Sequence, residues 1–344
     1  MQIDQMVAAW RVGVVGGGSW GTALANLLAG KGYTVDWWVF EEDLCRQLEQ
    51  SLENTIFLPG VKLSENLRPT NDLVKAVAGK DLVLVVVPSH VMRQVTQQLT
   101  GHIEPHAILV SASKGIENET LLTMSGIISQ TLSGIDEDRL AVLSGPSFAR
   151  EVAQGLPTVV TVASKAIECA QKVQHVFVTP RFRVYTHDDV LGVELGGSVK
   201  NVIAIAAGIV DGMGLGLNTR AALITRGMTE IRRLGLAMGA HPRTFTGLAG
   251  IGDLVLTCTG DLSRNHTVGK KIGQGLKLKD VLADMRMVAE GVKTARSVYS
   301  LSLRLNVEMP ICQAIYRILH EDLSPRDALF QLMTRDLKSE LDED

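Results

Sequence analysis

Directly after the apolar run RVGVV (11–15), the chain continues GGGSWGTALANLLAGKGY, which sets Gly16-x-Gly18-x-x-Gly21 between a strand and a helix. Glycines at this spacing allow a tight turn and a close approach of the backbone to a pyrophosphate. The helix N-terminus then stabilises the anion with its unpaired N–H groups and its dipole. A turn serving only helix–sheet packing would also use glycine, so the spacing gains weight from its strand–turn–helix setting. This one segment restricts the first half of the chain to a nucleotide-binding α/β architecture.

The pattern that follows agrees. VDWWV (35–39), LVLVVV (82–87), AILVS (107–111), RLAVL (139–143) and TVVTVA (158–163) read as strands. Most are continuous apolar runs, as strands covered on both faces should be. Helical patterns at 20–29, 44–52, 91–99, 121–132 and 166–176 separate them. Alternation of this kind predicts an α/β fold with a doubly wound, mostly parallel Rossmann sheet. After FRVYTHDD (182–189) the strand signal stops, and the rest reads as an all-helical C-terminal domain. The expected division is a dinucleotide-binding Rossmann domain at 1–193 and a helical substrate-binding domain at 194–344.

Composition narrows the function. With 34 Lys+Arg against 37 Asp+Glu the net charge is −3, without the basic excess of a broad nucleic-acid surface. Four scattered cysteines without a CxxC suit a reducing compartment. The start MQIDQMVAAW lacks a basic n-region and a long apolar core, and the longest apolar runs are short for a bilayer span. The expected location is cytoplasmic, with no membrane partner. No HExxH, cysteine cluster or acidic triad suggests a metal.

Candidate site residues lie at strand ends and in the helical half. The second strand ends DWWVFEED, and Glu41 stands where an acidic residue takes the adenosine ribose hydroxyls. An anion there repels a 2′-phosphate and favours NAD(H) over NADP(H); Glu41 or Glu42 opening the next helix is the competing reading. VVPSH, SASKG and LSGPS supply Ser89, Lys114, Gly145 and Ser147 at further strand ends, where ligands of open α/β sheets gather. Lys114 is the one chosen for a substrate oxygen.

In ELGGSVKNVIAIAAG (194–208), Lys200 shares a helix face with Gly196, Gly197, Ala204, Ala207 and Gly208. Such a bare face is expected to leave space beside the ammonium for a ligand. Burial disfavours a charged lysine, which moves it toward acid–base use. Asp253 lies in apolar, glycine-rich GLAGIGDLVL, where it needs a cation or a hydroxyl donor, and Lys200 can supply the former. Ser263-Arg264-Asn265 combines a guanidinium fork with hydroxyl and amide donors, which suits a phosphate; a helix cap followed by an exposed arginine is the plainer reading.

GGGSWGTALA, NTIFLPG, VVVPSH, SASKGIE, LSGPSFAREV, ELGGSVKNVIAIAAG, GLAGIGDLVLTCTGDLSRN and VAEGVKTA, in this order, resemble the bacterial NAD(P)-dependent sn-glycerol-3-phosphate dehydrogenases. The resemblance implies interconversion of dihydroxyacetone phosphate and sn-glycerol 3-phosphate by hydride transfer with NAD(H) or NADP(H), supplying glycerol 3-phosphate for phospholipid synthesis. It implies Lys200 as general acid/base, Lys114 on the substrate carbonyl, and Asp253 on the hydroxyl and lysine network. Asn201, Arg264 and Asn265 would bind the phosphate, helped by Ser147 and Ser263, while Gly145 stays a substrate candidate from its strand end. For the cofactor, beside the glycine motif of Gly16, Gly18 and Gly21, it implies Ser19, Trp20, Lys114, Ala149, Arg264, Val288 and Glu290.

Two departures stand out. Many relatives carry a basic residue around position 40, where this chain has Phe40-Glu41. About ten residues precede the first strand, and the sequence assigns them no role. The helical half holds enough apolar residues for a homodimer interface without marking its place. A β-hydroxyacid dehydrogenase and a non-catalytic NADH sensor are the competing functions; the former lacks the SRN group, and the latter leaves Lys114, Lys200, Asp253 and Arg264 unexplained.

Overall fold

The computed structural model describes residues 2–132, 134–285 and 287–340. The first part runs α1 (Gln2–Val7), β1 (Val12–Val15), α2 (Ser19–Gly30), β2 (Val35–Trp38), α3 (Glu42–Ser51), β3 (Leu67–Thr70) and α4 (Leu73–Val77). It continues β4 (Leu82–Val85), α5 (Met92–Gln98), β5 (Ile108–Ser111), α6 (Met124–Thr131), β6 (Leu140–Ser144), α7 (Ala149–Ala153), β7 (Thr158–Ser164), α8 (Ile167–Phe177) and β8 (Phe182–His187). The helical part comprises α9 (Val190–Gly212), α10 (Gly216–Ala237), α11 (Asp253–Thr259) and α12 (Arg264–Gly273). Then follow α13 (Leu278–Ala283), α14 (Glu290–Arg304), α15 (Pro310–His320) and α16 (Pro325–Met333).

The eight strands form one sheet in the order β3-β2-β1-β4-β5-β6-β7-β8. Every neighbouring pair is parallel except β6 and β7. The order reverses at β1, whose neighbours are β2 and β4, and in such sheets the crevice beyond that reversal is the ligand site. Buried side chains alternate between two apolar layers: Val12, Val14, Leu82 and Leu84 face one, and Val15, Val83 and Val85 the other. This two-sided burial is why the central strands read as unbroken apolar runs.

Two strands depart from that pattern. β3, LRPT, has no counterpart in the sequence reading; a four-residue edge strand tolerates Pro69 because a missing N–H costs nothing on the open side. β8 is the other edge, with Phe182 and Val184 buried and Arg183 and Tyr185 exposed.

The residues before β1 also gain a role. Val7 joins the core beside α8, with Ile3 and Trp10 packed against it, and Asp4 meets His175 of α8 at 2.6 Å. The segment is a clasp on the Rossmann sheet's helical layer.

Compact packing divides the chain into a first unit, up to Lys114 plus Leu122–Glu194, and a second, Gly115–Leu121 plus everything from Leu195. Gly115–Leu121 goes with the helices because Ser198 donates to the Gly115 carbonyl at 3.2 Å and Ser297 to that of Ile116 at 2.8 Å. Among the described residues one helix, α9 (23 residues), is long and apolar enough to cross a membrane, and its most apolar 18-residue window, of mean hydropathy 1.5, is wholly buried in the protein. It is a core helix.

Candidate active site

In the first unit, the three glycines divide their labour. Gly16 sits at φ +130°, and a Cβ there would lie 2.3 Å from the Val86 carbonyl oxygen; one on Gly21 would lie 2.2 Å from that of Gly16. Both positions are closed by the protein's own backbone. A Cβ on Gly18 would meet nothing within 4 Å, so this glycine faces open space. Gly18 also precedes α2, whose N-terminus carries no side-chain cap among the described residues. Two residues on, the buried Trp20 Nε1 has no hydrogen-bond partner among the described residues. An open glycine, an uncapped helix start and an unused donor fit the pyrophosphate of a dinucleotide.

The loop is braced by Asn54, the first residue of NTIFLPG. Asn54, fully buried, donates to the Gly17 carbonyl at 2.9 Å and to Thr22 Oγ1 at 2.8 Å, and accepts from Phe57 N–H at 2.9 Å. Ser19 donates to the Phe57 carbonyl at 2.6 Å. Asn54→Ala is expected to cost about 1–3 kcal/mol in chemical unfolding, the range for stranding buried polar partners. NADH affinity should weaken several-fold; unchanged affinity in a fluorescence titration would show that the loop holds its shape without this brace.

Glu41 takes the N-cap position of α3, yet its carboxylate makes no capping hydrogen bond. Asn71, on the turn after β3, donates to the carbonyls of Val39 (2.8 Å) and Phe40 (2.7 Å) and so fixes where Glu41 stands. Phe40 is 72% exposed. Beyond β5 and β6, Lys114 Nζ lies 3.4 Å from the Gly145 carbonyl, and Ser147 donates to the same oxygen at 2.9 Å. Gly145 has φ +141°, a turn that brings Lys114 and Ser147 together; Ala149 opens α7 next to them.

The second unit holds the lysine. Lys200 is 5% exposed and Asp253 1%. Their ammonium and carboxylate form an ion pair, and Lys200 also donates to Thr257 Oγ1 at 2.7 Å. Thr257 in turn donates to the main-chain carbonyl of Asp253 at 2.6 Å, one turn back on α11. Thr257 was not among the expected site residues, although its i+4 spacing from Asp253 places both on one face of α11. Cys258, beside this group, is buried, which pushes its thiol up to about 12 and keeps it neutral.

A second cluster adjoins it. Asn265 donates to Asn201 Oδ1 at 2.9 Å and accepts from the Gly291 N–H at 3.0 Å. Ser263 caps α12 by accepting from His266 N–H at 3.2 Å. Arg264 donates to the Val288 carbonyl at 3.0 Å. Part of its side chain reaches solvent, yet burial lowers the guanidinium from the ordinary arginine value while Glu290 pulls the other way. Thus Ser263, Arg264, Asn265, Asn201, Val288 and Glu290 form one neighbourhood.

One expectation is corrected. The bare face of α9 is not open space: a Cβ on Gly196 would lie 2.4 Å from the Ala249 carbonyl oxygen, and one on Gly208 2.0 Å from that of His266. Gly269 and Gly273 of α12 approach the Ile205 and Ile209 carbonyls in the same way, at 2.0 and 2.5 Å. The small residues let α12 and the turn at 248–250 rest on the α9 backbone. Lys200 and Asn201 are thereby held against Asp253 and Asn265.

With that geometry in place, comparisons with known proteins are decisive. The N-terminal family model of NAD-dependent glycerol-3-phosphate dehydrogenase matches residues 11–170, and the C-terminal model residues 189–330. The chain belongs to the NAD-dependent glycerol-3-phosphate dehydrogenase family. It is 58% identical to the glycerol-3-phosphate dehydrogenase (NAD(P)+) of Geobacter sulfurreducens over 330 residues, covering 96% of this chain and 98% of that one. The enzyme of the same name from Syntrophobacter fumaroxidans is 56% identical over 331 residues, 96% and 97% of the two chains. A crystal structure of glycerol-3-phosphate dehydrogenase from Coxiella burnetii superposes with a TM-score of 0.91 at 40% identity, covering 95% of this chain and 99% of that one. Family membership makes the cofactor NAD(H) or NADP(H). Among the described residues no group of three or more His, Cys, Asp or Glu could hold a metal ion.

Proposed function

We propose that this chain interconverts dihydroxyacetone phosphate and sn-glycerol 3-phosphate with Lys200 as the general acid/base. The observation that carries the reading is the buried Lys200–Asp253–Thr257 group, which fixes the ammonium on a carboxylate and a hydroxyl away from bulk water. In reduction, the Lys200 ammonium gives a proton to the carbonyl oxygen as charge develops on it; in oxidation, the neutral amine takes the hydroxyl proton back. Asp253 stabilises the cationic form and Thr257 keeps the amine in line in either state. The nicotinamide, when bound, supplies or takes the hydride at the carbonyl carbon.

Arg264 and Asn265, with Asn201 and Ser263, bind the phosphate, and this remote binding energy positions the carbonyl. Lys114, with Gly145 and Ser147 beside it, holds the carbonyl oxygen. The glycine loop, Ser19, Trp20 and Ala149 hold the cofactor's phosphates, with Val288 and Glu290 lining its other end. Glu41 makes NADH the preferred form by repelling a 2′-phosphate. The product suits phospholipid synthesis, and four free, buried cysteines suit a cytoplasmic enzyme.

Arg264→Ala is expected to raise the Michaelis constant for dihydroxyacetone phosphate by at least about 30-fold, as loss of a charged, hydrogen-bonded partner does. Steady-state kinetics at saturating NADH measure it. An unchanged constant removes Arg264 from the phosphate site.

A further inference from the structure

His266 follows the phosphate-binding Arg264 and Asn265 in sequence, and it is held at three points. Its N–H is capped by Ser263, its carbonyl oxygen rests on Gly208, and its side chain is 8% exposed with Nε2 2.8 Å from Asp211 Oδ2. Asp211 is on α9, eleven residues beyond Lys200, which is three helical turns or roughly 16 Å along the axis. The same Asp211 oxygen accepts from Arg220 of α10 at 2.9 Å. Burial raises the Asp211 carboxyl, but the hydrogen bonds from His266 and Arg220 outweigh it and hold it below the ordinary aspartate range. It is therefore ionised at neutral pH and accepts from both partners. None of these three side chains has a place in the mechanism above.

The glycine crossing alone permits α12 to lie close to α9 but does not choose its rotation. Gly208 and Gly212 on one helix and Gly269 and Gly273 on the other present smooth surfaces that can turn or slide past each other. Two directional contacts between the helices set the register, the Asn265–Asn201 hydrogen bond at 2.9 Å and the His266–Asp211 contact at 2.8 Å. The geometry points to Asp211 as a positioning residue: by gripping His266 it locks the first turn of α12, so that Arg264 and Asn265 meet the substrate phosphate in line with Lys200 and Asn201. This rests on the phosphate assignment of Arg264 and Asn265. Arg220 of α10 anchors the same carboxylate oxygen, which ties the contact to a second helix.

The test compares kcat/KM for dihydroxyacetone phosphate with kcat/KM for unphosphorylated dihydroxyacetone in the wild type, Asp211→Asn, Asp211→Ala and Arg264→Ala proteins. Asp211→Asn keeps the side-chain shape and serves if Asp211→Ala yields no folded enzyme. A positioning role lowers the ratio of the two constants about ten- to a hundredfold in the Asp211 variants, mostly through the Michaelis constant, because only the phosphorylated substrate uses the displaced groups. A merely structural role lowers both constants in parallel and leaves the ratio unchanged, which overturns the inference. If Arg264→Ala also leaves the ratio unchanged, the phosphate assignment falls first, and the role of Asp211 with it.

Discussion

Lys200→Ala is expected to lower kcat by about 10²- to 10⁴-fold, the usual contribution of a positioned acid/base group, while NADH still binds. Removing the ammonium has a second consequence, because it leaves the Asp253 carboxylate buried without its cation. Breaking a buried pair by deleting one member typically costs about 3–5 kcal/mol. A loss of activity in this single variant therefore mixes chemistry with instability. The double variant Lys200→Met, Asp253→Asn separates them: it removes both charges and roughly keeps the volume, so stability should largely return while turnover does not. Thermal unfolding and steady-state NADH oxidation, run on both variants, measure the two effects. Near-normal turnover in either would mean that another group moves the proton.

Gly208→Ala is expected to destabilise the fold by about 2 kcal/mol, although alanine is the better helix former by about 1 kcal/mol. Its Cβ would lie 2.0 Å from the His266 carbonyl oxygen and 2.8 Å from the Lys270 nitrogen. Both are backbone atoms, so no rotamer change relieves the contact. The α12 backbone has to move away, and overpacking of this kind costs about 1–3 kcal/mol and at times more. Because α12 carries Asn265, the Michaelis constant for the phosphorylated substrate should rise as well. Gly30→Ala in α2 is the control, since a Cβ there would meet nothing within 4 Å. The expected result is a lower melting temperature for Gly208→Ala and none lower for Gly30→Ala. A raised melting temperature in Gly208→Ala would contradict the packing described.

These residues also show how far the sequence could be read. Strand–glycine–helix order is local, so the loop at Gly16–Gly21 and the central strands were legible. The ion pair of Lys200 with Asp253 was legible too, because each is costly to bury alone. The small residues around Lys200 were misread, since a bare helix face serves either a ligand or a second backbone. The signal that decides it was present: Gly208-Ile-Val-Asp-Gly212 and Gly269-Lys-Lys-Ile-Gly273 share a four-residue glycine spacing, the mark of two helices in close contact. Asn54 and Asn71 were not legible as braces. Each donates to a main-chain carbonyl more than 30 residues away, a contact that leaves no trace in composition or periodicity.

The most direct measurement is oxidation of NADH, and in parallel NADPH, by the purified protein with dihydroxyacetone phosphate. The expected result is turnover that requires the phosphorylated ketone and favours NADH, in keeping with Glu41. Equal efficiency with both coenzymes would discard the role given to Glu41 and keep the enzyme. NADH binding without turnover of dihydroxyacetone phosphate would contradict the central assignment and leave a protein that only senses the cofactor.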